Sequence, residues 1–179
     1  MNSTQKAAPR QHRSWLPVTF VAGMLSTPLV GLAFALSGFM SIDAAGRPPN
    51  WESKIGQHAL EVSLAKRSQD LVNPMEDTEA DLIAGMNTYR NACAGCHGNY
   101  GQHRSGGGLY PPVPQFNQHP PWLTAPEMFV AVKYGIRYTG MGAWNGELAD
   151  KDIWQTVGFL RHLSNLPAAV DKAWKSQHQ

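Results

Sequence analysis

A chain of 179 residues, 42% hydrophobic and 16% charged, has apolar content for one domain with a modest core, or for a smaller domain plus an anchor. Its formal net charge of +2, with no basic stripe and no basic helix face, excludes a nucleic-acid partner. Both of its cysteines fall within five residues, Cys93-Ala94-Gly95-Cys96-His97.

Residues 1–14 carry Lys6, Arg10 and Arg13 and no acidic residue, and residues 15–40, WLPVTFVAGMLSTPLVGLAFALSGFM, carry no charge. That run exceeds the roughly 20 residues a helix needs to cross a bilayer. The next charge downstream is Asp43, so the positive-inside bias puts residues 1–14 in the cytoplasm. The chain is therefore expected to be a single-pass protein of a bacterial inner membrane, with everything after residue 40 on the periplasmic side. Cleavage as a signal peptide near Ala33-Phe34-Ala35 is the alternative. The run continues past that point through Leu36, Phe39 and Met40 and is about twice a usual signal h-region, which favours an uncleaved anchor. Pro17 and Pro28 are tolerable kinks in a bilayer helix.

Residues 41–74 read as a linker. Gly46-Arg47-Pro48-Pro49-Asn50 breaks any helix, residues 51–71 have helix-favouring composition, and Asn73-Pro74 closes the segment. Within 51–71, Ile55, Ala59 and Val62 share one face while Leu60 and Leu64 share another. A domain over 75–166 follows, mildly acidic with six Lys or Arg against eight Asp or Glu. Thr78 ahead of Asp81 resembles a capping box, and Leu82, Met86, Tyr89 and Cys93 recur at helical spacing, predicting a helix over 79–92 that ends at the first cysteine. Gly85 lies on the same side, where another helix is expected to approach closely.

The stretch 98–122 is rich in glycine and proline and has neither helical nor strand period, as expected of a long loop that wraps something functional. Thr124 and Glu127 form a second capping box with Pro126 in the first turn, and Gly135 ends that helix. Asp150 is expected to cap a last helix with Ile153, Trp154, Val157 and Leu160 on one face, and residues 167–179 to be a polar, fraying tail.

The five-residue cysteine motif has several readings. A disulfide across two intervening residues gains little chain-entropy stabilisation and leaves His97 unexplained. A redox dithiol needs a helix that starts at the first cysteine. A zinc site needs four ligands, which His103 and His119 would complete only at untypical spacing. Covalent haem attachment uses every residue: two thiols add to the porphyrin vinyl groups, and the adjacent histidine reaches the iron. The sixth iron position then falls to Met128 or Met141. Met128 sits in a helix beside Phe129 and Val132, as core residues do. Met141 stands between Gly140 and Gly142, which let backbone approach a bulky group, and is the favoured ligand. His58, His103, His119 and His162 read as solvated, linker or surface positions.

The domain resembles a class I c-type cytochrome. The resemblance rests on Gly85-x-x-x-Tyr89 before Cys93-Ala94-Gly95-Cys96-His97-Gly98, then Leu109-Tyr110-Pro111-Pro112, Gly135-Ile136-Arg137-Tyr138-Thr139-Gly140-Met141, and a last helix with Trp154, Phe159 and Leu160. It covers about half the chain. It implies an all-α fold, three main helices wrapped around one covalent haem c held by Cys93 and Cys96 and preceded by the transmembrane helix. It implies iron ligation by His97 and Met141, with a proline carbonyl, that of Pro112, accepting a hydrogen bond from the other nitrogen of His97. The first and last helices would cross near Gly85, Tyr89 and Phe159. Tyr110, Trp144, Trp154 and Ile136 would line the haem, or serve as ordinary core; Arg137 would meet a propionate or water. The implied activity is electron transfer rather than enzymatic turnover of a small-molecule substrate. Its partners would be redox proteins or a membrane oxidoreductase complex of which the chain is a subunit. A haem enzyme or gas-binding protein with a displaceable sixth ligand is the alternative, and a zinc-bound interaction module a second one.

Overall fold

The computed structural model describes residues 16–39, 43, 46, 48–104, 108–117 and 119–176. The expectations for residues 1–14 fall outside this set. The chain divides into two units, Met1–Asp43 and Ala44–Gln179.

In the first unit, α1 (Leu16–Leu36) is a single apolar helix without an acidic or basic side chain, about 32 Å long at 1.5 Å per residue. Its stretch Thr19–Leu36 is long and apolar enough to cross a membrane. Phe20, Met24, Leu29, Val30 and Leu36 are all exposed, which is compatible with a single-pass membrane anchor. Pro28 lies inside α1. Just before it, the hydroxyls of Ser26 and Thr27 donate to the Gly23 carbonyl at 3.1 and 2.9 Å, so both polar groups are bonded within the helix.

The second unit is all-helical, with no strand among the described residues. Its elements are α2 (Asn50–Ser68), α3 (Glu79–Thr88), a π-turn (Tyr89–Cys93), α4 (Ala94–His97), α5 (Ala125–Tyr134), α6 (Asp150–His162) and α7 (Ala168–Lys175). Both capping residues act as read. Thr78 Oγ1 accepts from Asp81 N at 3.2 Å, and Glu127 Oε2 accepts from the Thr124 backbone N–H at 2.9 Å. Asp150 does not cap α6; Ala149 holds that position, and the Asp150 carboxylate pairs with Lys133 Nζ at 2.7 Å.

The core forms where α3 packs on α6 and α7, and α5 packs on α6 and α2. Leu82, Tyr89, Ile153, Val157 and Phe159 are its most buried large side chains. Gly85 is where α3 meets α6: a Cβ there would be driven into the Gln155 carbonyl. Tyr89 and Phe159 meet beside it, ring centroids 5.7 Å apart, so the expected crossing stands.

Two further expectations differ from the structure. The helix begun at Glu79 does not end at the first cysteine. It passes through the π-turn, where Ala94 N–H bonds the Tyr89 carbonyl, and runs on through α4 to His97. Such one-turn bulges are frequent at functional sites. The segment 167–179 is not a fraying tail as far as Ser176, because α7 docks Val170 and Trp174 into the core. Trp174 sits edge-on to Tyr89 and Phe159 at 5.9 and 5.1 Å. Arg90 Nη2 donates to the Ala173 and Trp174 carbonyls at 2.8 and 2.7 Å, partners that the last turn of a helix otherwise lacks. Its guanidinium carbon lies 5.0 Å from the Trp174 ring centroid. Trp174→Ala should therefore destabilise the domain by about 3 kcal/mol or more, the cost of truncating a buried aromatic, read as a lowered melting temperature.

Candidate functional site

Cys93 is half-buried and Cys96 exposed, and neither is in a disulfide. Burial, with Cys96 nearby, pushes the Cys93 thiol up to about 11. That is the reverse of the depressed thiol on which a redox dithiol depends. Among the described residues no three His, Cys, Asp or Glu side chains gather as a metal cage, so neither the dithiol nor the zinc reading gains support.

His97 ends α4, and three contacts hold its ring and backbone. Its Nδ1–H donates to the Pro114 carbonyl at 2.9 Å. Its ring stacks on Phe116 with centroids 4.5 Å apart and planes 2° from parallel. Phe116 N–H bonds the His97 carbonyl at 3.0 Å. Burial lowers the pKa of His97, and the Pro114 carbonyl opposes that shift, so the neutral imidazole keeps its proton on Nδ1. The Nε2 lone pair is then the one through which this ring could bind a metal.

The acceptor is Pro114, not Pro112. Gln115 decides which carbonyl arrives: its Nε2 donates to the Cys96 and Val113 carbonyls at 2.9 and 3.2 Å, and its Oε1 accepts from Arg104 N–H at 2.9 Å. These bonds draw 113–116 alongside Cys96 and His97, while Pro112 is exposed two residues upstream. Tyr89 adds a further tie, its buried hydroxyl donating to the Gly98 carbonyl at 2.7 Å. Pro114, Gln115 and Phe116 were not singled out from the sequence. The signals there were a proline-rich run and a lone phenylalanine in an aperiodic loop.

Met141 is set by a tight turn after α5. Ile136 N–H bonds the Met141 carbonyl at 3.0 Å. Thr139 Oγ1 donates to the Ile136 carbonyl at 2.7 Å and accepts from Met141 N–H at 3.0 Å. The turn closes against Gly135, whose φ is +68° and whose missing Cβ would lie 2.8 Å from the Met141 carbonyl oxygen. Both the left-handed backbone and the close approach require glycine there. Met141, Trp144, Cys93 and Phe116 are all partly buried against one apolar cluster that includes Met86, Tyr89, Met128 and Trp154. Met128 is only 5% exposed, a core residue as expected.

The other candidate residues are dispersed. Trp144 anchors the chain after the Met141 turn, its N–H bonding the Val132 carbonyl at 3.2 Å. The Tyr110 hydroxyl shares a 3.0 Å hydrogen bond with Ser53 of α2. Trp154 stacks on Phe129 at 4.2 Å, and both border a cavity of about 330 Å³ with Leu71, Lys133 and Tyr134 on its wall. Ile136 packs beside Leu64 and Val130 in a smaller cluster, and Arg137 is exposed.

Gly135→Ala should loosen the Met141 turn without touching the cysteine motif. The strain of an alanine at positive φ plus the backbone clash is expected to cost about 1–3 kcal/mol. Hydrogen exchange at the Met141 amide should accelerate while that of α3 stays slow.

Residues 80–160 match the family described as cytochrome C oxidase, cbb3-type, subunit III. The match takes in the cysteine motif and the Met141 turn and leaves out α1, α2 and α7. No solved structure matches the chain.

Proposed function

We propose that this chain, whose residues 80–160 match a c-type cytochrome family, is a membrane-tethered mono-haem electron carrier in which His97 and Met141 would be the iron ligands. The observation that carries the reading is that Cys93 and Met141, 48 positions apart in the sequence, border the same apolar cluster. The donor set fits the group: two thiols not in a disulfide, an imidazole whose Nδ1 is already engaged, and a thioether on a braced turn. A haem c bound there supplies a reversible one-electron couple.

The residues have distinct tasks. Cys93 and Cys96 would hold the group through thioether bonds, and the Pro114 carbonyl would keep the His97 ring oriented and its Nε2 basic. As a ligand, the Met141 thioether would favour the reduced state, as soft thioether ligation does. The apolar cluster excludes water, so little solvent rearranges when charge changes. Cys96, exposed at the end of the motif, marks the edge at which redox partners dock in small, transient contacts.

The apolar helix α1 is compatible with a single-pass anchor, and the proposed setting is the periplasmic face of the inner membrane. The partners are then the redox proteins of a membrane oxidoreductase complex, which the chain serves or joins as a subunit. Expression with haem c maturation machinery, followed by a denaturing gel stained for haem, tests the covalent attachment. The full chain should stain, and the double variant Cys93→Ala, Cys96→Ala should not. A full chain that fails to stain would sink the proposal and return the motif to its other readings.

A further inference from the structure

The helix α2 carries two apolar faces, and among the described residues only one of them has a partner. Leu64 is buried, and Leu60 packs with it against Val130 and Ala131 of α5. Ser53 bonds Tyr110 on that side too. The opposite face presents Trp51, Ile55 and Val62, exposed at 63%, 63% and 52%. At 100° per residue these three fall within about 40° of one another, and Leu60 and Leu64 fall on the far side. Because α2 is fixed to α5 and to the loop at Tyr110, this outer stripe has a fixed orientation relative to the Cys93–His97 motif.

We propose that the outer stripe of α2, Trp51, Ile55 and Val62, lies in the headgroup layer of the membrane. The proposal rests on reading α1 as the anchor. Three observations select a lipid surface as the occupant. First, α1 ends at Leu36 and α2 begins at Asn50, and the 13 residues between them, at most about 3.5 Å each, reach no further than about 45 Å. A stripe tethered to a bilayer anchor within that reach needs little intrinsic affinity, because its binding is intramolecular. Second, the stripe offers a few hundred Å² of apolar surface, short of the roughly 800 Å² per side of a standard protein interface but suited to shallow insertion. Third, Trp51 occupies the first turn, nearest the anchor, and tryptophan is the side chain enriched at membrane interfaces. Lys54 and Lys66 border the stripe on its two sides, where an alkyl stem follows apolar surface and the ammonium group reaches phosphate. Lodged in this way, α2 would hold the whole domain at one tilt over the bilayer and fix which edge is presented to partners.

The test uses the full-length, haem-loaded chain in nanodiscs of zwitterionic and anionic phospholipid, spin-labelled at Val62→Cys or, as a control on a neighbouring exposed face, Ser63→Cys. Both sites are solvent-exposed, so folding is preserved, and the parent chain should take up no label once its own thiols are bound to haem. The expected result is severalfold greater relaxation by oxygen than by a water-soluble nickel chelate at position 62, with the reverse at 63. Equal nickel access at both positions in disc-bound protein would overturn the proposal while leaving the anchor intact. Spin–spin broadening at 62 only in discs holding two copies would overturn it in favour of self-association. Loss of the chain from the discs would instead overturn the anchor reading on which it rests.

Discussion

Gly85→Val is expected to abolish accumulation of the folded, haem-loaded chain. The α3–α6 crossing is the centre of the core, and a Cβ at Gly85 would meet the Gln155 carbonyl oxygen, its carbonyl carbon and the Thr156 nitrogen. All three are backbone atoms, so no rotamer change relieves the overlap. The helices must move apart, and Tyr89, Phe159, Ile153 and Val157, each essentially fully buried, lose their contacts together. Overpacking of an adaptable core costs about 1–3 kcal/mol; here several aromatic and aliphatic contacts go at once, against a total stability of roughly 5–15 kcal/mol. Gly95→Ala is the matched control inside the cysteine motif, because nothing lies within 4 Å of the Cβ it would add. Its holoprotein yield and melting temperature should equal those of the parent. Equal yields from Gly85→Val and the parent would show that α3 and α6 do not cross at this point.

Met141→Ala is expected to leave haem covalently attached and to change its electronic character. The Met141 turn is built from bonds among Ile136, Thr139 and the Met141 backbone, none of which uses the thioether. The side chain can therefore be removed without unfolding the turn that carries it. The ferric spectrum should lose its thioether-to-iron band, and the potential should fall because the ligand favouring the ferrous state is gone. The reduced protein should acquire carbon monoxide binding at the freed position. Met128→Leu, which replaces a core methionine by a side chain of similar volume, should leave band and potential unchanged. A spectrum indifferent to Met141→Ala would remove the proposed ligand and favour a gas-binding or enzymatic role.

Local spacing made a large part of this protein legible in one dimension. The motif Cys93-Ala94-Gly95-Cys96-His97 suggests its proposed role without coordinates because covalent haem attachment would need only two thiols and an imidazole at fixed separation along the chain. The same holds for the apolar run of α1, whose length is matched to a bilayer, and for the capping residues Thr78 and Thr124, which act within three residues of themselves. Gly85 was recognisable as a contact point because a glycine on an apolar helix face has few other uses.

What the tertiary structure alone decided depends on residues far apart in the chain. Prolines 111, 112 and 114 offer equivalent carbonyls to His97, and Gln115 chooses among them by reaching back to Cys96. Residues 168–175 hold only two large apolar side chains, Val170 and Trp174, too few to announce a helix. They become ordered because Arg90, more than eighty positions earlier, bonds the last carbonyls of that helix. Asp150 looked like a cap and instead pairs with Lys133 across the α5–α6 junction. The chemistry of the site was written in short-range spacing, whereas the choice among equivalent local partners waited for packing to bring one of them within reach.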